Sequence, residues 1–169
     1  MRTVALVACL VLIAAPAAAQ HATPAVELSG GYSSLDVDDT NWPTLAGWVA
    51  SGSVTITRWL GIEVDAGRNA HSGGGQRSFG DIRRWFAGAG PRFVARGQRA
   101  SGFAHVLVGA ERLGSAAHPT VQAGGGIDVW LTKALGARLG IDKRLSWDEE
   151  DRQGSWRFQI GAVVALGSR

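Results

Sequence analysis

The residues of this chain most able to do chemistry are charged side chains that recur at every second position of apolar or glycine-rich segments. In a β-strand, alternate side chains face the same side. Nine titratable side chains fall on the positions that face the polar side of their segments: Glu27, Glu63, Asp65, Arg92, His105, Asp128, Arg138, Asp142 and Arg157. An unpaired buried charge is strongly destabilising, so charges gathered in one interior must neutralise one another. We therefore predict a structural network of salt bridges. The alternative is a narrow gated pore that opens when the pairs rearrange.

Histidines are the second group of residues that could do chemistry. His105 lies in the segment Ala104–Val106 and shares its parity with Glu111, so we expect it to point inward and to be hydrogen-bonded. A serine hydrolase site needs a histidine base, a serine nucleophile and a carboxylate that orients the base. His71 with Ser72, and His118, lie in predicted loops, but their spacing is not specific for such a site. We predict no catalytic residues.

Two acidic clusters fall in predicted loops, namely Asp36, Asp38 and Asp39, and the run from Asp148 to Asp151. Clustered carboxylates can bind Ca²⁺ or Mg²⁺ and bridge to lipid phosphates. We expect solvated loops instead, with no metal ligands and no cofactor. The glycine runs at 73–75 and 124–126 lack the Gly-Lys-Ser/Thr ending of a phosphate-binding loop.

The elements that position these residues are clearest between Val121 and Arg144. Over Val121–Leu131 and again from Leu135, aliphatic residues alternate with glycines and charges. Strict alternation predicts two β-strands with unlike faces. A soluble sheet turns its apolar face inward, whereas glycine beside isolated Arg and Asp indicates a tight polar interior. The pattern is typical of a transmembrane barrel, which is apolar outside and polar inside.

The same alternation along the chain predicts an all-β fold, an eight-stranded antiparallel up-and-down barrel. The predicted strands are Ala25–Leu35, Thr44–Thr57, Leu60–Asn69, Ile82–Ala95, Gly102–Arg112, Val121–Leu131, Leu135–Arg144 and Gly154–Leu166. We expect a bulge at Pro91, because proline cannot donate to a β-ladder. We also expect long loops after the odd-numbered strands, including Leu113–Pro119, and short turns after the even-numbered ones, as in outer-membrane barrels.

Aromatic residues concentrate near the predicted strand ends. Those predicted to lie at the membrane interfaces are Trp42, Trp59, Trp85, Trp130 and Trp156, with Phe93 and Phe103 beside the short turns. Amphipathic rings of this kind form girdles at the lipid headgroups.

The first 19 residues read as a secretory signal peptide, and residues 20–169 as one barrel domain. A basic start is followed by the apolar run Val4–Ala15 and by small residues before a cleavage site after Ala19. The only cysteine is Cys9, inside the signal, so we expect neither disulfides nor thiolate chemistry. With 17 basic and 14 acidic residues, the chain is too balanced in charge to indicate nucleic-acid binding.

In its pattern, the chain resembles the small outer-membrane β-barrel proteins of Gram-negative-type bacteria, such as the OmpA transmembrane domain and OmpX. The segments that carry the resemblance are 47–54, 89–93, 102–109 and 124–129. It implies a monomer in the outer membrane, in contact with outer-membrane lipid and delivered by periplasmic chaperones and the barrel-assembly machinery. Such barrels usually end in an aromatic residue, whereas this chain ends Ala-Leu-Gly-Ser-Arg.

The expected role is structural or adhesive, with the long loops as contact surfaces. Three alternatives remain. One is a narrow channel. Another is a lipid-modifying enzyme, because barrels of this size include lipid A acyltransferases and deacylases. The last is a soluble lipocalin-like binding barrel.

Overall fold

The computed structural model describes residues 23–38, 43–71, 82–147 and 152–167. The predicted signal peptide, Trp42, Ser72, the 73–75 glycine run and the 148–151 acidic cluster lie outside these ranges. The described chain forms eight strands: β1 (Val26–Val37), β2 (Leu45–Thr55), β3 (Leu60–His71), β4 (Ile82–Arg96), β5 (Ala100–Leu113), β6 (Ala116–Trp130), β7 (Leu135–Trp147) and β8 (Arg152–Leu166). No helix formed by these residues is long and apolar enough to cross a membrane.

The strands close into a single antiparallel barrel in chain order, which confirms the predicted fold. β1 pairs with β8 along its whole length, from Val26 opposite Leu166 to Val37 opposite Ser155. Closure leaves no unpaired sheet edge, which is the condition for strands to cross a hydrocarbon layer.

The two ends of the barrel differ. One end, which we call the terminus end, carries the start of β1, the end of β8 and the turns 56–59, 97–99 and 131–134. The other, the loop end, carries the connections 38–44, 72–81, 114–115 and 148–151.

The predicted loop Leu113–Pro119 is wrong. β5 and β6 continue to a turn of two residues, Gly114 and Ser115, with Leu113 paired to Ala116. Gly114 has a φ of 61°, the left-handed conformation that a two-residue hairpin needs and that glycine adopts without strain. The segment Ala116–Pro119 lacks apolar–polar alternation, so its sequence did not indicate a strand.

The predicted bulge at Pro91 is also wrong. Ala89 pairs with Val108 on one side of the proline and Arg92 pairs with His105 on the other, so the register is the same on both sides. No residue has been inserted, and Pro91 sits in the strand opposite Ile62 of β3.

The faces of the barrel are inverted relative to a soluble protein. Of the described side chains that are buried, most are polar or charged, and the apolar minority includes Leu35, Leu45, Phe86, Phe103 and Leu107. Large apolar residues instead lie outside, as at Val108, which is 64% exposed, and Ile160, which is 57% exposed. A continuous apolar belt of this kind marks a membrane-facing surface.

Four of the predicted interface aromatics lie on this outer surface. Trp59 stacks on Phe93 at the terminus end, with ring centroids 6.1 Å apart, and Trp85 and Trp156 lie toward the loop end.

The structure places Trp130 and Phe103 on the inner side of the wall, contrary to the prediction. Trp130 donates from its indole nitrogen to the hydroxyl of the buried Ser101, at 3.0 Å. Both aromatics fall on the same alternate positions as the inward charges, and this alternation decides their facing, whatever their distance from a strand end.

A charge on the outer face tests the membrane span. Ala89 lies midway between Trp85 and Phe93 and pairs with Val108, so Val108 is at the centre of the apolar belt. We expect Val108→Arg to lower the free energy of unfolding by about 2–4 kcal/mol, and the control Ile56→Arg, in a turn, by at most about 1 kcal/mol. Urea unfolding in lipid vesicles, followed by tryptophan fluorescence, measures both. Equal effects of the two substitutions would contradict the assigned span.

Candidate functional site

The lumen of the barrel is filled by charged side chains, which form three clusters. Eight strands enclose a space just wide enough for side chains to fill. The predicted network residues are all buried there: Glu27, Glu63, Asp65, Arg92, His105, Asp128, Arg138, Asp142 and Arg157. The lumen therefore brings together every inward titratable residue that the sequence analysis selected.

The first cluster lies toward the terminus end and is built on two arginines. Arg138 binds Asp128 with both oxygens engaged, Nε to Oδ1 at 2.7 Å and Nη2 to Oδ2 at 2.8 Å. Arg92 lies 3.2 Å from the same carboxylate and 3.1 Å from Glu27. Both guanidinium groups also lie 4.5 Å from the ring centroid of Phe103, which provides a cation–π contact for each.

Small hydroxyl residues complete this cluster. Arg138 Nη1 donates to the hydroxyls of Ser29 and Ser51, at 2.9 and 3.3 Å, and Arg92 Nη1 donates to Ser53 Oγ at 3.0 Å. Arg96, nearer the barrel mouth, binds the second oxygen of Glu27 at 2.6 Å. These contacts satisfy donors that would otherwise be buried without a partner.

The second cluster, at mid-height, is centred on His105. Its Nδ1 lies 3.1 Å from Glu63 Oε2 and its Nε2 lies 2.9 Å from Asp142 Oδ1. A neutral ring would turn a lone pair toward one of these carboxylates. An imidazolium donates from both nitrogens and so forms a hydrogen bond with each carboxylate. Arg157 then joins Asp142, at 2.7 Å, to Asp65 across the lumen, also at 2.7 Å.

Glycine opposite Asp142 makes this arrangement possible. Gly124 pairs with Asp142 across β6 and β7. A Cβ at position 124 would lie 2.1 Å from Asp142 Oδ1, the oxygen that faces His105. Gly124 therefore provides room for the Asp142 carboxylate of the neighbouring strand.

The third cluster, toward the loop end, was missed by the sequence analysis. Arg144 and Arg84 bind the two oxygens of Glu111, at 2.9 and 3.3 Å, and Ser146 donates to the same carboxylate at 2.8 Å. Arg144 also lies 4.1 Å from the centroid of Phe86. Arg144 itself is buried. The alternation of side chains along each strand was the available signal. Arg84, Glu111 and Arg144 each lie an even number of residues from a predicted network residue on the same strand, so each faces the same side.

The charges of the lumen balance. Among the described residues, six buried carboxylates face five buried arginines and His105, so the set is neutral when the histidine is an imidazolium. Each carboxylate lies within 4.0 Å of at least one cation. The chemistry of this site is mutual neutralisation of charge.

His105, in the described part of the chain, is not arranged for serine hydrolysis. His105 contacts two carboxylates through its two nitrogens and so has no ring nitrogen turned to a serine. His71 ends β3, and its neighbour Ser72 lies outside the described residues. Within the described ranges, no three His, Cys, Asp or Glu side chains are grouped to hold a metal ion.

Comparison with known proteins now identifies the architecture. The model of a family described as "Outer membrane protein beta-barrel domain" matches residues 5–169. The chain belongs to this family. Among curated proteins, no sequence match was found. Family membership and the inverted barrel together place the protein in the outer membrane of Gram-negative bacteria.

Solved structures of other outer-membrane barrels share the fold. Neisserial surface protein A is similar with a TM-score of 0.66 and 12% identity, covering 84% of this chain and 97% of that one. Ail, the attachment invasion locus protein of Yersinia pestis, has a TM-score of 0.55 and 15% identity, covering 82% and 97%. The N-terminal barrel of Pseudomonas aeruginosa OprF has a TM-score of 0.56 and 10% identity, covering 83% and 97%.

Removal of the central histidine tests the network. His105→Ala leaves Glu63 and Asp142 facing each other without the bridging cation, so we expect a loss of about 3–5 kcal/mol in the free energy of unfolding. The matched control is His71→Ala, at a partly exposed strand end, for which we expect a change within about 0.5 kcal/mol. Urea titration of the refolded barrel measures both. If the two variants were equally stable, the bridging role of His105 would be wrong.

Proposed function

We propose that this protein is a closed, non-conducting outer-membrane barrel that displays its loop-end connections outside the cell as contact surfaces. The observation that carries the proposal is the lumen network, whose buried ion pairs occur near one end at Glu27 and near the other at Arg84. A rigid, filled barrel suits a scaffold for exposed segments better than it suits a conduit. In this role the chain acts as a monomer, with the terminus end toward the periplasm.

The sequences of the loop-end connections support a surface role. Three of them are longer than the hairpin turn at 114–115, and they contain Asp38, Asp39 and the 148–151 acidic run. Among the structural relatives, one is named a surface protein and another an attachment invasion locus protein. The same fold in proteins so named favours attachment to a host or matrix component.

A narrow channel is the second candidate, because the lumen is polar along its length. To conduct, the barrel must break several charge-assisted bonds at once, among them the bidentate pair of Arg138 with Asp128. The network therefore favours the closed state.

Planar-bilayer recordings separate the two candidates. We expect the wild-type chain to show no stable conductance steps, and the double variant Arg92→Ala/Arg138→Ala to show them, because it removes both guanidinium groups that fill the terminus end. Arg138→Ala alone should give a smaller increase. Lys143→Ala, on the outer wall, is the control and should resemble the wild type. Wild-type conductance equal to that of the double variant would contradict a plug.

Attachment is measured separately. A non-adherent bacterial strain that expresses the chain should gain binding to epithelial cells or to immobilised matrix. Replacement of residues 73–80 by a short Gly-Ser linker should remove most of this gain, because it shortens a loop-end connection while leaving the strands intact. The matched control replaces Gln98, in a terminus-end turn, by serine. Unchanged attachment by the shortened variant would contradict this use of the connection.

A further inference from the structure

The turns at the terminus end carry exposed cations, which we call the basic rim. Each of the three turns contains one basic residue, namely Arg58, Arg99 and Lys133, and all three side chains are exposed. They form no ion pair and no side-chain hydrogen bond with any other residue that the structure describes. The charge of the basic rim is therefore available to a partner outside the chain.

Two of these turns share one sequence pattern and one set of hydrogen bonds. Residues 56–60 read Ile-Thr-Arg-Trp-Leu, and residues 131–135 read Leu-Thr-Lys-Ala-Leu. In each turn the first two backbone N–H groups donate to the carbonyl of the last leucine, at 2.9 to 3.0 Å. The threonine hydroxyl accepts from the backbone N–H groups two and three residues further along. The residue after the threonine, Arg58 or Lys133, is thus held at the tip of a fixed turn.

The three cations are spread around the mouth of the barrel. Their turns join β2 to β3, β4 to β5 and β6 to β7, so two strand spacings separate each turn from the next. Strands about 4.8 Å apart and tilted by about 40° place neighbouring turns about 12 Å apart along the mouth. A single carboxylate would have to draw two long side chains together across this distance. A ligand with several separated carboxylates meets each cation at its own turn, so the spacing favours a polymer.

The basic rim lacks an exposed carboxylate among the described residues. Of the Asp and Glu side chains that the structure describes, only Asp36 and Asp38 are exposed, and both lie at the loop end. Glu27, near the terminus-end mouth, is buried and bound by Arg92 and Arg96. The described terminus end is therefore basic on its surface, which raises the local concentration of anions.

The surface between the cations favours a hydrated polymer over a folded protein. The turn residues beside the cations include two threonines, a glycine and a glutamine. Ile56 and Leu131 continue the outward positions of β2 and β6, and Trp59 stacks on the outward Phe93. These apolar side chains thus belong to the membrane-facing wall. A stable protein interface needs buried aromatic or aliphatic anchors at its centre, whereas a hydrated chain of carboxylates does not.

We propose that the basic rim binds peptidoglycan through the free carboxylates of its stem peptides. Guanidinium and ammonium groups form charge-assisted hydrogen bonds with carboxylates. One exposed ion pair contributes little, but a polymer that engages three cations together binds multivalently. The inference rests on the orientation in the proposed function, in which the terminus end faces the periplasm and this polymer. It requires neither a closed lumen nor attachment to host cells.

Co-sedimentation of the full, refolded chain with purified peptidoglycan sacculi, in a zwitterionic detergent, tests the proposal. We expect Arg58→Gln/Arg99→Gln/Lys133→Gln to bind about ten- to a hundredfold more weakly than the wild type, because three ion pairs are lost together. Arg58→Lys/Arg99→Lys keeps every charge and should bind as the wild type does. Sacculi whose carboxylates have been amidated should not bind the wild type.

The matched control is Arg112→Gln/Lys143→Gln/Arg152→Gln, which removes the same number of positive charges from the loop end. It should bind sacculi as the wild type does, and heat-modifiable migration on a gel verifies that each variant is folded. Wild-type binding by the terminus-end triple variant, an equal loss in the control, or unchanged binding to amidated sacculi would each overturn the proposal.

Native mass spectrometry with phosphatidylglycerol and phosphatidylcholine examines lipid as the other source of anions. We expect the terminus-end triple variant and the wild type to bind the same number of phosphatidylglycerol molecules. A preference for phosphatidylglycerol that this variant loses, together with no binding to sacculi, would assign the basic rim to lipid headgroups instead.

Maleimide labelling tests the orientation separately. The only natural cysteine is Cys9, in the predicted signal peptide, so Gln98→Cys places one thiol in a terminus-end turn. A membrane-impermeant maleimide should label this variant only after the outer membrane is permeabilised. Labelling of intact cells would contradict the orientation, and with it the access of the basic rim to peptidoglycan. Failure to bind sacculi with the orientation intact would overturn this inference alone.

Discussion

Neutralisation of buried charge is the constraint on which the rest of this structure depends. The lumen of an eight-stranded barrel holds side chains but little else, and the described part of this chain places six carboxylates there with five arginines and a histidine. Because each isolated charge would be costly, the strands must be in the register that brings opposite charges together. The pairs Asp128–Arg138 and Asp142–Arg157 are also direct register partners, so the salt bridges and the β-ladders specify the same alignment.

Glycine residues on the inner face and apolar residues on the outer face allow the strands to hold this charged interior within a membrane. Gly124 leaves room for the Asp142 carboxylate, and the outer positions of the same strands carry the residues that face lipid. The chain thus divides its alternate positions between two environments, one charged and closely packed, the other apolar.

Much of the fold followed from periodicity. The strand number, the antiparallel order and the inward parity of His105 and its charged neighbours all follow from a side-chain period of two, which neighbouring structure cannot change. The same rule applied consistently would have placed Trp130 and Phe103 inside and added Glu111 and Arg144 to the network. The loop at Leu113–Pro119 was mispredicted because two alanines, a histidine and a proline give no periodic signal, although the ladder with β5 extends through them.

The sequence by itself determined which residues face inward, that their charges nearly balance, and that the apolar surface must lie outside. Only the tertiary structure decided which charges pair. Arg157 meets Asp65 and His105 meets Glu63 across the lumen, between strands that are not neighbours. The physical reason is that barrel closure and strand stagger set the height of each side chain in the lumen, and no local pattern encodes either.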